Sequence, residues 1–186
     1  MQERSRKEKN ILYIVVPCYN EEQVLAETSK RLKQKCEILI HDGKIAKESR
    51  IVFVDDGSKD HTWNMIDEFH KMDSIFSGVK LSRNRGHQNA LLAGLTMASE
   101  KADIVISMDA DLQDDINAVD QMIEKYYEGC DIVYGVRSAR DTDTFFKRFK
   151  GLMGRKSLAE GAGLLIEPCN QIHTFGMKFA IDTLTL

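Results

Sequence analysis

Up to about Phe146, short apolar runs alternate with stretches of helical spacing. Ile11–Val16, Ile51–Val54, Phe76–Leu81, Ile104–Met108 and Asp131–Gly135 read as strands, rich in Val and Ile and bounded by turn residues. A helix start of the capping-box type is expected at Asn20 with Gln23, opening a helix with Val24, Leu25, Thr28, Leu32, Cys36 and Leu39 on one side. Thr62–Met72 (Trp63, Ile66, Phe69), His87–Ala98 (Ala90, Leu91, Gly94, Leu95, Ala98) and Ile116–Tyr127 (Val119, Ile123, Tyr126) have the same helical spacing. Strands that are apolar nearly throughout, each separated from the next by a helix, predict an α/β domain: a mostly parallel sheet with helices on both faces. After Arg148 the alternation stops, and Leu164-Leu165-Ile166 and Ile172–Leu186 suggest short β segments. The expected organisation is therefore a domain over 1–148 and a short β-rich fragment over 149–186.

Composition narrows the function. The 186 residues carry 42% hydrophobic and 30% charged residues, ordinary for a globular chain, and a net charge of -3. That charge argues against a nucleic-acid partner. Cys18, Cys36, Cys130 and Cys169 lie far apart, with no Cys-x-x-Cys pair, which fits a reducing compartment. The opening MQERSRKEKN is too polar for a secretory signal, and no apolar run approaches the ~20 residues a membrane span needs. The expectation is a soluble, cytoplasmic chain.

Three predicted strand ends carry acids: Asn20-Glu21-Glu22, Asp55-Asp56 and Asp109-Ala110-Asp111. Taken singly, each has an ordinary explanation. Glu21 and Glu22 would suit a helix N-terminus, Asp55-Asp56-Gly57-Ser58 a turn, and Asp109 and Asp111 a solvated loop. Taken together they converge, because parallel strands point their carboxyl ends to one edge, where ligands of open α/β sheets bind. Clustered carboxylates invite a hard cation, with Asp111 and Asp109 as oxygen ligands and Gln113 as a neutral one. Arg83, Arg85, Arg137 and Arg140 offer forked donors for phosphate, and His87, where a helix is expected to begin, could contact a phosphate or only the loop, the loop being favoured. Neither a Gly-x-Gly-x-x-Gly turn after the first strand nor a Gly-Lys-Ser/Thr loop is present.

Val16-Pro17-Cys18-Tyr19-Asn20-Glu21, Val54-Asp55-Asp56-Gly57-Ser58, Leu81-Ser82-Arg83-Asn84-Arg85-Gly86-His87, Asp109-Ala110-Asp111-Leu112-Gln113-Asp114 and Gly135-Val136-Arg137 closely resemble family 2 glycosyltransferases. Within that family they look most like the polyprenyl-phosphate glycosyltransferases, relatives of dolichol-phosphate mannose synthase. The resemblance implies a GT-A (Rossmann-like) fold and a nucleotide-diphosphate sugar donor, a UDP-sugar before a GDP-sugar. Pro17, Tyr19, Asn20, Glu21 and Asp55 would hold base and ribose, with Asp56, Asp109 and Ala110 in the same donor-binding set. Asp111, with Asp109 and Gln113, would bind Mg²⁺ or Mn²⁺. Asp111, Arg137 and Arg140 would form the catalytic group, the arginines facing phosphates. The acceptor would be a polyprenyl phosphate at the inner face of the plasma membrane, and the sugar would transfer with inversion. A homo-oligomer is left open.

The resemblance stops near Arg148. Arg148–Arg155, Gly163–Ile166, Pro168-Cys169-Asn170 and Ile172–Met177 instead resemble the start of a small β-rich family, Domain of Unknown Function one-ninety-two. A piece of roughly 40 residues rarely folds alone, so the expectation is two truncated modules fused. The rival expectation to a working transferase is a chain that binds nucleotide and metal without transferring sugar. A nucleotidyltransferase is disfavoured, because the chain lacks that class's glycine-rich phosphate loop. Cys169 and His173 are read as packed residues.

Overall fold

The computed structural model describes residues 10–111, 115–136 and 182–185. The chain divides into two compact units, Met1–Asp120 and Gln121–Leu186. The first contains β1 (Leu12–Cys18), α1 (Leu25–His41), β2 (Arg50–Asp55), α2 (Thr62–Met72), β3 (Phe76–Lys80), α3 (His87–Ser99) and β4 (Ile104–Ser107). A further helix, α4 (Ala118–Tyr127), spans the division. In the second unit β5 (Val133–Val136), the strand expected after α4, pairs in parallel with β6 (Asp182–Thr185) as a two-stranded sheet. The rest of 149–186 lies outside the described residues. Among the described residues no helix is long and apolar enough to cross a membrane.

The four strands of the first unit run parallel in the order β3-β2-β1-β4. Period-2 alternation divides their side chains between two apolar faces. Tyr13, Val15, Val52 and Val54 share one face and pack with Ala90 and Ala98 of α3. Ile14, Val16, Ile51 and Phe53 occupy the other and are fully buried. There the Phe53 ring lies 6.2 Å from Phe69 of α2 and 6.1 Å from Phe76 of β3. Helices on both faces explain why the strands read as continuous apolar runs. Each large apolar side chain taken fully out of water contributes about 1.5–3 kcal/mol.

Two glycines set how closely the helices approach. A Cβ on Gly94 of α3 would overlap Val15 Cγ1 and lie 2.8 Å from Val54 Cγ2. One on Gly78 of β3 would meet Ile66 at 2.6 Å and Trp63 at 3.3 Å, both from α2.

The start of α1 differs from expectation. The helix begins at Leu25 with Val24 as N-cap and no side-chain cap, four residues beyond the predicted capping box. Asn20 stands instead in the left-handed region at φ 56, and its side-chain oxygen accepts the Lys59 N–H at 2.9 Å. Asn tolerates this conformation better than most residues. The facing loop, distant in sequence, has taken the oxygen that a local cap would have used.

Candidate functional site

The strand order places the candidate site. From β1 the chain builds outward through β2 and β3, then returns to place β4 on the other side of β1. The carboxyl edge between β1 and β4 is thus the topological switch point, where open α/β sheets leave a crevice. Cys18 and Asp55 are register partners at the ends of β1 and β2. Past the end of β4, the Met108 N–H still bonds the Val15 carbonyl at 3.1 Å, leading into Asp109-Ala110-Asp111.

Asp55 is fully buried. One carboxylate oxygen accepts the Ser58 N–H at 3.1 Å, closing the turn; the other, Oδ2, has no hydrogen-bond partner among the described residues. A buried acceptor left unmet costs about 1–3 kcal/mol, and more when charged. Such an atom at a ligand-binding edge is suited to meet a donor on a bound molecule.

The loops after β1 and β2 clasp one another. Backbone N–H groups of Asn20, Glu21 and Glu22 donate to Ser58 Oγ (3.0 Å), Thr62 Oγ1 (2.8 Å) and Asp60 Oδ2 (3.2 Å). In return Lys59 N–H donates to Asn20 Oδ1 and His61 N–H to Glu22 Oε2, each at 2.9 Å. The clasp fixes Glu21 at the edge. Its carboxyl is pushed above the usual range by partial burial, then by the charges of Asp111, Asp60 and Asp109. Glu21 therefore senses both acids that follow β4. Sequence reasoning missed Ser58, Asp60 and Thr62 as partners of this clasp; the only signal was the density of turn-forming side chains in Asp55–Thr62.

Behind β4, the Thr28 hydroxyl of α1 donates to the Ala110 carbonyl at 2.6 Å in a buried contact. Thr28 is a polar residue on the buried stripe of α1, and that position was its signal. Asp109 is partly exposed, with Oδ1 3.9 Å from His87 Nε2, longer than a hydrogen bond. Asp56 is engaged by the turn before α3: its two oxygens accept the N–H groups of Arg85 and Gly86 at 2.6 and 2.8 Å. Pro17 is buried within β1, and Tyr19 is 40% exposed just beyond it. Burial, reinforced by the charges of Glu21 and Asp55, pushes the Cys18 thiol up, which disfavours the thiolate.

Pro17 and Asp55 thus lie at the ends of β1 and β2, and Tyr19, Asn20, Glu21, Asp109, Ala110 and Asp111 follow β1 and β4, strands that end at one edge. Gln113, Arg137 and Arg140 lie outside the described residues. Among the described residues no group of three metal-ligating side chains is drawn together. The acids do generate a negative field at the switch point, felt by Glu21, of the kind a divalent cation would neutralise.

The sequence profile of glycosyl transferase family 2 matches residues 13–184. The chain belongs to this family. It is 52% identical over 147 residues to YkoT, an uncharacterized glycosyltransferase of Bacillus subtilis (strain 168), covering 79% of this chain and 44% of YkoT. It is 38% identical over 135 residues to the bactoprenol glucosyl transferase of Shigella phage SfV, covering 73% of this chain and 41% of that one. To the undecaprenyl-phosphate 4-deoxy-4-formamido-L-arabinose transferase of Enterobacter sp. (strain 638) it is 35% identical over 143 residues, covering 76% and 41%. The chain spans less than half the length of these relatives. Its fold is that of the GT-A glycosyltransferases. The mannosyltransferase PcManGT from Pyrobaculum calidifontis, solved with GDP-Man and Mn²⁺, superposes with a TM-score of 0.56 at 21% identity, over 72% of this chain and 37% of that one.

Proposed function

We propose that this chain carries the donor site of a glycosyltransferase that moves a sugar from a nucleotide-diphosphate sugar to a polyprenyl phosphate. The observation that carries this reading is the fully buried Asp55 with its unpartnered oxygen, beside Glu21 and the Asp109–Asp111 acids at the switch point. A carboxylate oxygen accepts hydrogen bonds and, ionised, cannot donate. It therefore suits the ring N–H of uracil or guanine, or a ribose hydroxyl. Resemblance favours the UDP-sugar over the GDP-sugar. Asp111, with Asp109 and Gln113, would hold Mg²⁺ or Mn²⁺. When bound, the ion supplies positive charge against the diphosphate.

The relatives named for bactoprenol and undecaprenyl phosphate support the acceptor. A phosphate nucleophile is already ionised at neutral pH, so the site has no need of a strong general base. The difficult step is separating sugar from diphosphate, and the chain's task is positioning plus charge stabilisation. Arg137 and Arg140 would face the departing phosphates, with inversion at the sugar carbon. Such a reaction would place the chain peripherally at the inner face of the plasma membrane. In domain terms, residues 1–148 would carry the donor site and 149–186 a separate β-rich module.

A transfer assay with radiolabelled UDP-glucose or GDP-mannose, Mn²⁺ and polyprenyl phosphate in vesicles tests this. Label passing into an organic-extractable lipid supports the proposal. Tight nucleotide binding with no lipid product from either donor supports the rival, a chain that binds without transferring.

A further inference from the structure

The Asp56 carboxylate, 3% exposed, is a two-pronged clip on the β3–α3 turn. Its oxygens take the consecutive N–H groups of Arg85 and Gly86. Beside it Gly57 stands at φ +70, where a Cβ would fall 2.5 Å from the backbone of Arg83 and Asn84. The turn lies against Gly57, just beyond β2, with no room for a side chain between them. It is also closed on itself: Gly86 N–H donates to Asn84 Oδ1 at 3.0 Å, and Asn89 Nδ2 to the Arg85 carbonyl at 2.7 Å.

What the clip holds is the start of α3. Gly86, at φ 90, is the N-cap, and the next residue, His87, brings its ring to 3.9 Å from Asp109. Farther along the helix, Gly94 seats α3 on Val15 and Val54. The helix is thus fixed on the sheet at both places, with its first residue at the acidic edge. An Asp56 side chain that turned toward a ligand would take the carboxylate from the Arg85 N–H and leave the Gly86 N–H with Asn84 Oδ1 alone.

We propose that Asp56 is a positioning residue and not a donor ligand: acting through the Arg83–His87 turn, it fixes His87 and the start of α3 against the Asp109 side of the crevice. This rests on the reading above, in which the Asp109–Asp111 side takes the diphosphate and Asp55 the nucleoside. Two lesions reach the same turn by different routes. Asp56→Asn sets an amide donor against one of the two backbone donors, and Gly57→Ala pushes the turn off β2.

The experiment compares wild type, Asp56→Asn and Gly57→Ala. It combines amide hydrogen exchange at Arg85 and Gly86, the His87 ring signals by NMR, and calorimetry with uridine against UDP and guanosine against GDP in Mn²⁺. The expected result is faster exchange at both amides, displaced His87 signals, and diphosphate affinity down about tenfold or more with nucleoside affinity unchanged. A parallel loss of nucleoside and diphosphate affinity in Asp56→Asn, with Gly57→Ala silent, overturns the proposal by making Asp56 a ligand. Unmoved His87 signals in either folded variant also overturn it. If wild type binds neither UDP nor GDP, the donor-site reading fails, and the exchange and His87 signals decide the positioning role alone.

Discussion

Asp55→Asn separates binding from stability at the most unusual atom of the site. The substitution is isosteric, and the Ser58 N–H bond to the retained oxygen at 3.1 Å selects the amide orientation. The new NH₂ group then stands where the unpartnered Oδ2 was. A hydrogen bond to a charged group is worth about 1.5–3 kcal/mol. Replacing that acceptor by a donor facing a ligand N–H forfeits at least this amount, a rise in Kd of roughly 10- to 150-fold. Folding should move the other way. A buried carboxylate with one unmet oxygen is a liability in the unliganded protein, so its neutral isostere should leave the thermal midpoint unchanged or raise it. Calorimetric titration with UDP and GDP, beside thermal unfolding monitored by circular dichroism, reads both effects on one preparation. A variant that binds nucleotide like wild type but melts several degrees lower would refute the reasoning and leave Asp55 as a turn-former.

Thr28→Val should remove the hydroxyl that holds the Ala110 carbonyl, costing about 1–3 kcal/mol in urea unfolding because a buried carbonyl loses its donor; an unchanged midpoint would show that strand end to be held elsewhere. Gly94→Ala should cost about 1–3 kcal/mol by forcing α3 off Val15 and Val54, again by urea titration. For pH, the hydrogen bond from Lys33, then that from the Ile75 N–H and the Lys33 charge, hold the Asp73 carboxyl below its usual range. A depressed folded pKa gives stability that is present above the unfolded value, about 3.9, and is lost as pH falls through the folded one. Asp73→Asn should therefore flatten the acid limb of the stability–pH curve and leave its neutral shape unaltered; an unchanged acid limb counts against a depressed Asp73 carboxyl.

The alternation of strands and helices was legible because parallel strands covered on both faces must be apolar throughout, and that pattern is written locally. The strand-end acids were legible for the same reason, since β1, β2 and β4 share one direction and need no further assumption to meet. What escaped was the assignment of individual oxygens. Asn20 read as a helix cap because Gln23 follows it, yet its partner is Lys59, across the clasp. Asp56 reads as part of the donor site beside Asp55; that its oxygens meet the Arg85 and Gly86 N–H groups, 29 and 30 residues away, no local pattern marks. Thr28 stands out locally as a polar residue on the buried stripe of α1, but its partner, Ala110, is 82 residues away and no local pattern names it. Hydrogen-bond partners are settled by tertiary approach, and Gly57 and Gly94 show how close that approach is.

The most direct measurement is calorimetric titration of UDP and GDP into the wild-type chain and into Asp111→Ala, with and without Mn²⁺. The account predicts that at least one nucleotide binds wild type, that Mn²⁺ tightens it, and that Asp111→Ala keeps its fold but loses the Mn²⁺ increment. Metal-dependent binding that survives intact in Asp111→Ala, or no binding of either nucleotide by wild type, would contradict it.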